Sequence, residues 1–449
     1  MELINGPKTP SWLQKLQWIT NPIGYMDSAA KNYGELFNGT VIGNYDPLLL
    51  VSNPQALQQI FTSDTKQFSA PANNLLQLIL GNHSIFMLEG DRHRRERKLL
   101  MSPFHGDRMR AYGELICDIT EQFFSQLTSG KTFYARDTVQ DISMGVILNA
   151  VFGIDDLKRF HRLKQLMVSL MDSLQSPLTL GLLYFPFLRR DLGVWSPWSN
   201  FRRLQQQIDD LIYAEIKERR QQDNSSNTDI LTLLMSARDE VGETMTDTEL
   251  HDELLTLLFA GYETTSNAII WALYWIHYLP EVREKLIKEL DSLGEKPEPM
   301  SIFQLPYLSA VCNESLRIYP VALLTVPRAV KQPVNLMGYK LEPGTRLYGC
   351  IYLTHQREDL YPEPKKFKPE RFLERKFSPY EFMPFGGGVR RCLGEALAMF
   401  EMKLVLATIL SHYELALAYQ RPVKPQRRGV NLTPAGGLKM VMKEKRKTV

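Results

Sequence analysis

The spacing of apolar residues along the chain predicts a few short β-strands and many helices. Residues 39–44 and 48–51 are extended runs, and the Tyr45-Asp46-Pro47 turn between them predicts a hairpin. A second group of short extended segments lies in residues 321–353, where proline and glycine interrupt the chain repeatedly. Helical periodicity dominates between the two groups. The pattern therefore predicts a mainly α fold with a minor β part.

The longest predicted helix covers residues 246–279. Thr246 and Glu249 form the signature of a capping box, and Pro280 ends the helix. At 1.5 Å per residue this helix is about 50 Å long, enough to cross a whole domain. Its centre is polar, because residues 261–267 (GYETTSN) stand between two apolar segments. A glycine inside a helix costs about 1 kcal/mol and a buried acid costs more, so this centre predicts a functional site.

The composition is that of an ordinary globular protein. Of the 449 residues, 44% are hydrophobic and 23% are charged, which is enough apolar material for a large core. The net charge of +3 gives no global attraction to nucleic acid, so we predict no nucleic-acid partner. The polar stretch 219–229 is the best candidate for a domain boundary, but an exposed loop inside one fold explains it better. We predict a single domain over residues 1–449, present as a monomer.

The cysteines and the first residues of the chain indicate the cellular compartment in which the protein is expected. Four cysteines in a chain of this length form neither a disulfide framework nor a zinc-type spacing, which predicts a reducing compartment. Residues 1–25 are interrupted by three prolines and lack the apolar run of a signal peptide or a membrane span. We therefore expect a cytoplasmic protein without a membrane span. Residues 12–19 can either touch a lipid surface or pack as an ordinary surface helix, and we prefer the second interpretation.

A glycine-rich segment carries the most informative cysteine. Residues 384–395 read PFGGGVRRCLGE, and three consecutive glycines allow a tight turn and a close approach to another group. Cys392 follows this turn and precedes residues of strong helical character, 395–410. A helix N-terminus and two neighbouring arginines favour the thiolate, which can serve as nucleophile, redox sensor or metal ligand. The alternative is a buried apolar cysteine beside a turn.

The same segment resembles the haem-binding loop of cytochromes P-450, in which five residues stand at fixed spacing. The matching residues are Phe385, Gly388, Arg390, Cys392 and Gly394. The resemblance implies the cytochrome P-450 fold, a triangular helical prism with a long central helix over the haem. It also implies haem b as cofactor, with the iron bound by the Cys392 thiolate.

Two further segments resemble parts of the same family. Glu314 and Arg317 match its Glu-x-x-Arg pattern, and Arg371 lies in a Pro-Glu-Arg-Phe segment. The i,i+3 spacing places Glu314 and Arg317 on one helix face, where they can pair. The resemblance implies that the three residues form a structural triad behind the haem.

The polar centre of the long helix resembles the oxygen-activation motif of the family, with Ala260, Gly261, Glu263 and Thr264 in the matching positions. The resemblance implies that the Thr264 hydroxyl hydrogen-bonds bound oxygen and that Glu263 relays protons. Gly261 is expected to let a ligand approach the backbone. The alternative is a Thr264 bonded to a carbonyl of its own helix and a Glu263 in an internal ion pair.

The haem propionates require cationic partners. His93 and Arg97 stand at i,i+4 and resemble the Trp/His-x-x-x-Arg pattern of the family. Arg328 and Arg390 complete the set that the resemblance implies. The other basic residues between positions 92 and 98 are expected to be solvated or to belong to a docking surface.

The resemblance implies a monooxygenase that uses O2 to hydroxylate or epoxidise a lipophilic small molecule, such as a long-chain fatty acid, a terpenoid or a steroid-like compound. Soluble bacterial members, particularly cyanobacterial ones with lipid-like substrates, are loosely similar. The segments that line the pocket in the family are mostly apolar here. The candidate lining residues are Leu75, Leu78, Ile79, Phe86, Leu323, Leu324, Val326 and Leu432.

The resemblance occupies nearly the whole chain and leaves no room for a flavin or iron–sulfur module. It therefore implies electrons from a separate ferredoxin and ferredoxin reductase. The candidate dock for such an acidic partner is a basic surface of Arg94, Arg95, Lys365, Lys366 and Arg391. Three alternatives stay open: a peroxide-driven peroxygenase or isomerase, a non-catalytic haem- or lipid-binding protein, and a helical protein without cofactor. The retained acid–threonine pair favours O2 chemistry.

Overall fold

The computed structural model describes residues 4–42, 48–71, 74–101, 108–153, 157–175, 193, 196–221, 229–429 and 431–446. The chain forms two compact units. The first comprises Met1–Pro71, Thr120–Val139 and Thr264–Val449, and the second comprises Ala72–Ile119 and Gln140–Glu263. The prediction of a single domain over the whole chain stays a prediction.

Helices make up most of both units. Proline stands at the start of several of them, since its fixed φ suits the first turn and its missing N–H needs no partner there. In chain order the helices are α1 Ser11–Thr20, α2 Pro22–Tyr33, α3 Pro54–Thr62, α4 Asn74–Leu80, α5 Gly90–Met101, α6 Arg108–Ser125, α7 Ala135–Phe152, α8 Leu157–Gln175, α9 Pro197–Gln221, α10 Ile230–Ser236, α11 Asp247–Tyr278, α12 Pro280–Asp291, α13 Pro299–Phe303, α14 Pro306–Ile318, α15 Ile351–His355, α16 Arg371–Glu374 and α17 Glu395–His412.

The described strands all belong to the first unit. The largest sheet has five strands in the order β1-β2-β8-β5-β3, with β2 and β8 parallel and the other neighbours antiparallel. Three smaller sheets pair β4-β12-β9, β6-β7 and β10-β11. The strands are β1 Leu36–Asn38, β2 Leu48–Val51, β3 Phe68–Ser69, β4 Thr132–Tyr134, β5 Arg328–Val330, β6 Val334–Leu336, β7 Tyr339–Leu341, β8 Arg346–Gly349, β9 Tyr413–Leu417, β10 Pro425–Arg428, β11 Asn431–Pro434 and β12 Lys439–Lys445.

The predicted mainly α fold with a minor β part is confirmed. The hairpin differs in detail, because its first strand is β1, which ends before the predicted run at 39–44; the predicted turn lies outside the described residues. The Gly39 N–H still donates to the Leu48 carbonyl at 2.9 Å, but the next N–H, that of Thr40, donates to Gln14 Oε1 at 3.2 Å instead of to the sheet. Residues 351–353, predicted as extended, are helical in α15, and the strands after α17 were not predicted.

The longest helix forms as predicted and contains one boundary between the two units. The capping box is present: the Thr246 N–H donates to Glu249 Oε2 at 2.8 Å, and the Glu249 N–H donates back to Thr246 Oγ1 at 3.2 Å. α11 ends at Tyr278, just before the proline that closes it. No helix among the described residues is long and apolar enough to cross a membrane.

The polar stretch 219–229 is anchored at both ends. Arg219 donates to Asp229 at 2.6 Å, and both side chains are buried. Arg219 also donates to the Phe152 carbonyl at 2.7 Å, which fixes the end of α9 against α7. Residues 222–228 lie outside the described part of the chain. The two ends therefore belong to the packed second unit.

Candidate functional site: the cysteine loop and the central helix

The glycine-rich segment folds into a tight loop that ends at Cys392. The Cys392 N–H donates to the Phe385 carbonyl at 3.0 Å, and the Arg391 N–H donates to the Gly388 carbonyl at 3.1 Å. Gly386 and Gly388 have φ of 71° and 65°, a left-handed backbone that glycine adopts without strain. Because α17 begins shortly afterwards, the loop delivers the cysteine just ahead of a helix N-terminus.

Exposure separates Cys392 from the other cysteines. Cys392 is exposed, whereas Cys117 is half-buried and Cys312 and Cys350 are buried. Burial raises the pKa of Cys312 to about 12, and burial also raises the pKa of Cys350. Both buried thiols are therefore held neutral. Cys392 is the cysteine whose sulfur is most open to a metal, and the interpretation as a buried apolar cysteine is wrong for it.

A buried ion pair supports the cysteine loop. Arg328 donates from Nε and Nη2 to the two carboxylate oxygens of Asp64 at 2.7 and 2.8 Å. The same carboxylate accepts the Val389 N–H at 3.1 Å, and Arg328 donates to the Gly387 carbonyl at 3.2 Å. The two side chains are only 2% and 3% exposed. The Asp64–Arg328 pair therefore fixes the loop backbone at two points.

The pair gives Arg328 a use other than the predicted one, binding of a haem propionate. Its Nη1 donates to the carbonyls of Val326 and Pro327 at 2.9 and 3.3 Å. Together with the contacts to Asp64 and Gly387, these account for the five N–H donors of a guanidinium. The propionate role stays a prediction. The geometry instead makes Arg328 a residue that positions the loop.

The loop glycines also make room for α3 and the residues after it. A Cβ on Gly387 would lie 2.7 Å from Cδ2 of Phe61, and a Cβ on Gly388 would lie 2.4 Å from Oδ2 of Asp64. Close-packed interiors do not tolerate such contacts. Sequence reasoning missed Phe61 and Asp64, because they belong to no motif and Asp64 lies 325 residues before Val389.

Glu314 holds two arginines in the interior of the first unit. Arg317 donates from Nε and Nη2 to its carboxylate at 2.6 and 2.8 Å, and Arg371 donates from Nε at 3.2 Å. Glu314 and Arg317 are fully buried. Arg317 also donates to the His355 carbonyl at 2.8 Å, and the His355 ring accepts the Met383 N–H at 2.9 Å. Burial and the Arg317 charge lower the pKa of His355 to about 3, so the ring is neutral and able to accept.

The polar centre of α11 is where this helix is not fully covered. Between residues 250 and 277 every position is buried except Phe259, Ala260, Gly261 and Thr264, which are half-buried. Three of these four belong to the predicted oxygen-activation motif. Glu263 is buried, with 9% of its surface exposed. Between residues 250 and 277 the surface of the helix is therefore partly exposed only at the motif and at the adjoining Phe259.

Gly261 is required by helix packing in the second unit. A Cβ at this position would lie 2.9 Å from Cδ1 and 3.0 Å from Cγ1 of Ile147 on α7. The missing side chain therefore lets α7 and α11 approach each other closely. The expected role of Gly261 towards a ligand stays a prediction beside this packing role.

The predicted propionate residues of α5 lie on one face of that helix. His93 is buried and Arg97 is half-buried. The neighbouring Arg95, by contrast, donates to Asp239 at 2.6 Å and pairs with Glu96. Its guanidinium therefore forms ion pairs within the second unit. In the first unit Arg390 is half-buried and donates to the Ala70 carbonyl at 3.3 Å.

A buried polar cluster fastens the loop between α4 and α5 to α11. The His83 N–H donates to Asp252 Oδ2 at 2.9 Å. His251 lies between two carboxylates, with Nδ1 at 2.9 Å from Asp252 Oδ1 and Nε2 at 3.0 Å from Asp209 Oδ1. Burial lowers the pKa of His251, but the hydrogen bonds to Asp209 and Asp252 outweigh it and raise the pKa to about 9. Sequence reasoning missed this cluster.

The predicted pocket residues fall into two classes of burial. Leu78 and Phe86 are half-buried, Ile79 is buried, and the side chain of Leu75 lies outside the described part of the structure. In the first unit the residues Leu323 and Leu432 sit inside a hydrophobic core cluster, whereas Leu324 and Val326 are half-buried. Residues 321–326 alternate because successive side chains of an extended chain point to opposite sides. Their lining roles stay predictions.

The comparison with known proteins decides the family. A family profile described as Cytochrome P450 matches residues 5–441. The chain belongs to the cytochrome P450 family. Cytochrome P450 135B1 of Mycobacterium tuberculosis is 33% identical to this P450 over 98% of this chain and 91% of that protein. Cytochrome P450 138 of the same organism is 31% identical over 98% and 96%.

The fold of this P450 is also that of a solved relative. Retinoic acid bound cyanobacterial CYP120A1 matches it with a TM-score of 0.83, at 24% identity and over 96% of both chains. This likeness concerns the fold alone.

As a P450, the protein is a haem-thiolate monooxygenase, and Cys392 is the residue that would hold the haem iron through its thiolate. The residues present fit that group. Cys392 is exposed at the end of a loop held by backbone hydrogen bonds and by the Asp64–Arg328 pair. When bound, haem with a cysteine thiolate on its iron would supply the O–O bond cleavage on which monooxygenation depends. Electrons for this chemistry come from redox partners, as elsewhere in the family.

Proposed function

We propose that this P450 inserts one oxygen atom of O2 into a C–H or C=C bond of a lipophilic small molecule. The observation that carries the proposal is the opening in the buried surface of α11 at Ala260, Gly261 and Thr264. Small, half-buried residues in an otherwise covered helix leave space for a reacting molecule, and the Thr264 hydroxyl is a group that can supply a proton there.

A lipophilic substrate is supported by the residues assigned to the pocket. The half-buried members, Leu78 and Phe86 in the second unit and Leu324 and Val326 in the first, are all apolar. CYP120A1, which has the same fold, binds retinoic acid, an apolar isoprenoid with one carboxylate. Fatty acids, terpenoids and retinoids are therefore the first classes to test.

Proton delivery is assigned to Thr264 and Glu263. Thr264 is a half-buried residue of the uncovered part of α11, and Glu263 is the adjacent buried acid. The hydroxyl holds the proton at Oγ1, and the carboxyl replaces it from solvent. We expect Thr264→Ala and Glu263→Gln to lower product formed per NADPH consumed by about tenfold or more, because general acid catalysis contributes roughly 10²–10⁴ in rate.

A control substitution on the same helix separates this role from packing. Thr265 is 5% exposed and lies outside the uncovered part of α11. Thr265→Ala is expected to change stability but to leave the ratio of product to NADPH close to that of the parent. An equal loss of this ratio in all three variants would remove the assignment.

Electrons are proposed to come from a ferredoxin that docks on cations of the first unit. Lys365, Lys366 and Arg391 are at least 48% exposed in their side chains and pair with surface acids. Such exposed pairs contribute only about 0–1 kcal/mol, so an acidic partner can replace the internal acids. In the second unit Arg94 pairs with Asp91. Arg95 forms an ion pair with Asp239, so we do not include Arg95 in the proposed docking surface. Lys365→Glu combined with Lys366→Glu is expected to slow reduction by ferredoxin without changing substrate binding.

One experiment tests the proposal against its rivals. The purified holoprotein is first titrated with fatty acids, terpenoids and retinoids, and binding is followed by the shift of the haem absorption band. Turnover of the binding compounds is then measured with NADPH, ferredoxin reductase and ferredoxin, and separately with peroxide alone. We expect oxygenated product only with the electron-transfer chain. Product with peroxide alone favours a peroxygenase, and binding without any product favours a non-catalytic binder.

A further inference from the structure

Helix α1 has a hydrogen-bonded glutamine on its buried side. Gln14 is buried and uses its whole amide: Nε2 donates to the carbonyls of Pro7 and Thr9, and Oε1 accepts from the Tyr25 hydroxyl and the Thr40 N–H. The bond lengths lie between 2.8 and 3.2 Å. The buried Trp18, one turn later, shares the inner side of the helix with this glutamine.

Three other large apolar residues of α1 lie on its outer side. Trp12, Leu16 and Ile19 are 66%, 49% and 51% exposed. They stand at i, i+4 and i+7, so they form one narrow stripe along the helix. These three are grouped on ten residues, whereas the other exposed large apolar side chains of the described chain are scattered.

The charge around this stripe has one sign. Residues 3–26 contain no Asp or Glu, but they contain Lys8 and Lys15. On a helical wheel Lys15 borders the stripe, and Lys8 is exposed just before the helix. The guanidinium of Arg427 lies over the ring of the buried Trp18 at 5.5 Å, so it does not count among the cations of the stripe. The stripe thus combines apolar side chains with the positive charge of the two lysines.

We propose that α1 attaches this P450 to the surface of anionic lipid bilayers. The stripe Trp12, Leu16 and Ile19 enters the boundary between headgroups and acyl chains, and the neighbouring cations pair with lipid phosphates. A helix with an apolar face, flanking lysines and a tryptophan is the usual form of an interfacial anchor. Attachment of this kind needs no membrane-spanning helix.

The size of the stripe favours a lipid surface over a second copy of the chain. Its exposed apolar area is on the order of 300 Å², since each of the large side chains has roughly 150–250 Å² to bury. Stable protein interfaces bury about 800 Å² on each partner. The stripe is too small for that, but a side chain that enters a bilayer needs no complementary partner surface.

The test measures co-sedimentation of the purified holoprotein with vesicles. We expect binding to vesicles of phosphatidylcholine with about 30% phosphatidylglycerol, and much weaker binding to phosphatidylcholine alone. Trp12→Ser, Leu16→Ser and Ile19→Ser combined are expected to weaken binding by on the order of 100-fold. Burial of about a third of the exposed apolar area of the stripe contributes a binding free energy of that size. Lys8→Glu with Lys15→Glu is expected to weaken binding by at least about 25-fold at low salt, at about fivefold per cation.

Matched variants control for exposed area and for net charge. Val241→Ser, Leu373→Ser and Tyr419→Ser remove three apolar side chains that are 81%, 50% and 58% exposed but far apart in sequence. Lys443→Glu with Lys445→Glu changes net charge by the same amount as the lysine pair near α1. Both controls are expected to bind vesicles like the parent. The carbon monoxide difference spectrum of each variant verifies that the haem site is intact.

Several outcomes would overturn the proposal. These are no binding of the parent to anionic vesicles, equal binding of the stripe variant, or equal losses in the control variants. A parent that is dimeric without lipid, and that the stripe variant makes monomeric, would assign the stripe to a protein interface instead. None of these measurements depends on turnover, so they stand apart from the substrate proposal.

Discussion

The most demanding prediction concerns Asp64, which no motif of the chain identifies. In Asp64→Ala the Arg328 guanidinium keeps its charge in a site where it is 2% exposed, and its two shortest hydrogen bonds are lost. The Val389 N–H loses its acceptor at the same time. Removing one partner of a buried ion pair costs about 3–5 kcal/mol, and the orphaned N–H adds roughly 1 kcal/mol.

The assay separates this effect from a general loss of charge. Unfolding in urea gives the free energy of unfolding, and the transfer of haem to a haem-free acceptor protein gives the haem dissociation rate. Asp359→Ala is the control, because Asp359 pairs with Arg357 at the surface, where its side chain is 62% exposed. We expect a loss of about 4 kcal/mol and faster haem release in Asp64→Ala, and a loss below about 1 kcal/mol in the control.

A double variant tests whether the unpaired charge of Arg328 causes the loss of stability. Asp64→Ala combined with Arg328→Met removes both charges, and an apolar pair in place of a buried ion pair is often close to neutral. Stability is therefore expected to recover by about 2 kcal/mol or more relative to Asp64→Ala. The reasoning fails if Asp64→Ala and Asp359→Ala lose the same stability, or if haem release stays at the parent rate.

Three further predictions concern the cysteine, the buried glutamate and a titrating histidine. Cys392→Ser is expected to abolish the thiolate-type Soret band of the reduced carbon monoxide complex, whereas Cys312→Ser keeps it. Glu314→Ala leaves a buried guanidinium unpaired and is expected to cost about 3–5 kcal/mol in urea unfolding; a loss under 1 kcal/mol would contradict this. Because the pKa of His251 is raised to about 9, its stabilisation is complete below about pH 6.5 and is lost as the pH rises towards 9, by up to about 1.4 kcal/mol per pH unit. Comparing unfolding at pH 6 and 9 in the parent and in His251→Gln measures this, and an unchanged pH dependence in the variant would count against it.

Local sequence patterns were enough to predict the helices that carry the site. The capping box before α11, the proline after it and the spacing of the cysteine loop all depend on residues close together in the chain. The structure adds contacts to these elements without moving them. Glu314 and Arg317, for example, are three residues apart on α14 and pair as their spacing predicts.

Long-range contacts were the part that the sequence did not reveal. Asp64 stands alone between α3 and β3, and nothing in its neighbourhood indicates an arginine 264 residues later. Gly261 was expected to make room for a ligand. Its packing partner Ile147 lies on another helix, so the sequence around Gly261 does not reveal the packing role. Leu323 was grouped with Leu324 and Val326 because the whole segment lines the pocket in the resembled family, although alternation along an extended segment separates buried from half-buried positions.

The Asp64–Arg328 pair has a consequence for biosynthesis. Its carboxylate, its guanidinium and the Val389 N–H come from three places that span 325 residues, so the contact order of this network is very high. Contacts of that separation form late, after closure of the intervening chain has been compensated by local structure. A ribosome must therefore have made the chain as far as Val389 before the cysteine loop takes its final conformation. A chain truncated before Val389 cannot complete this network.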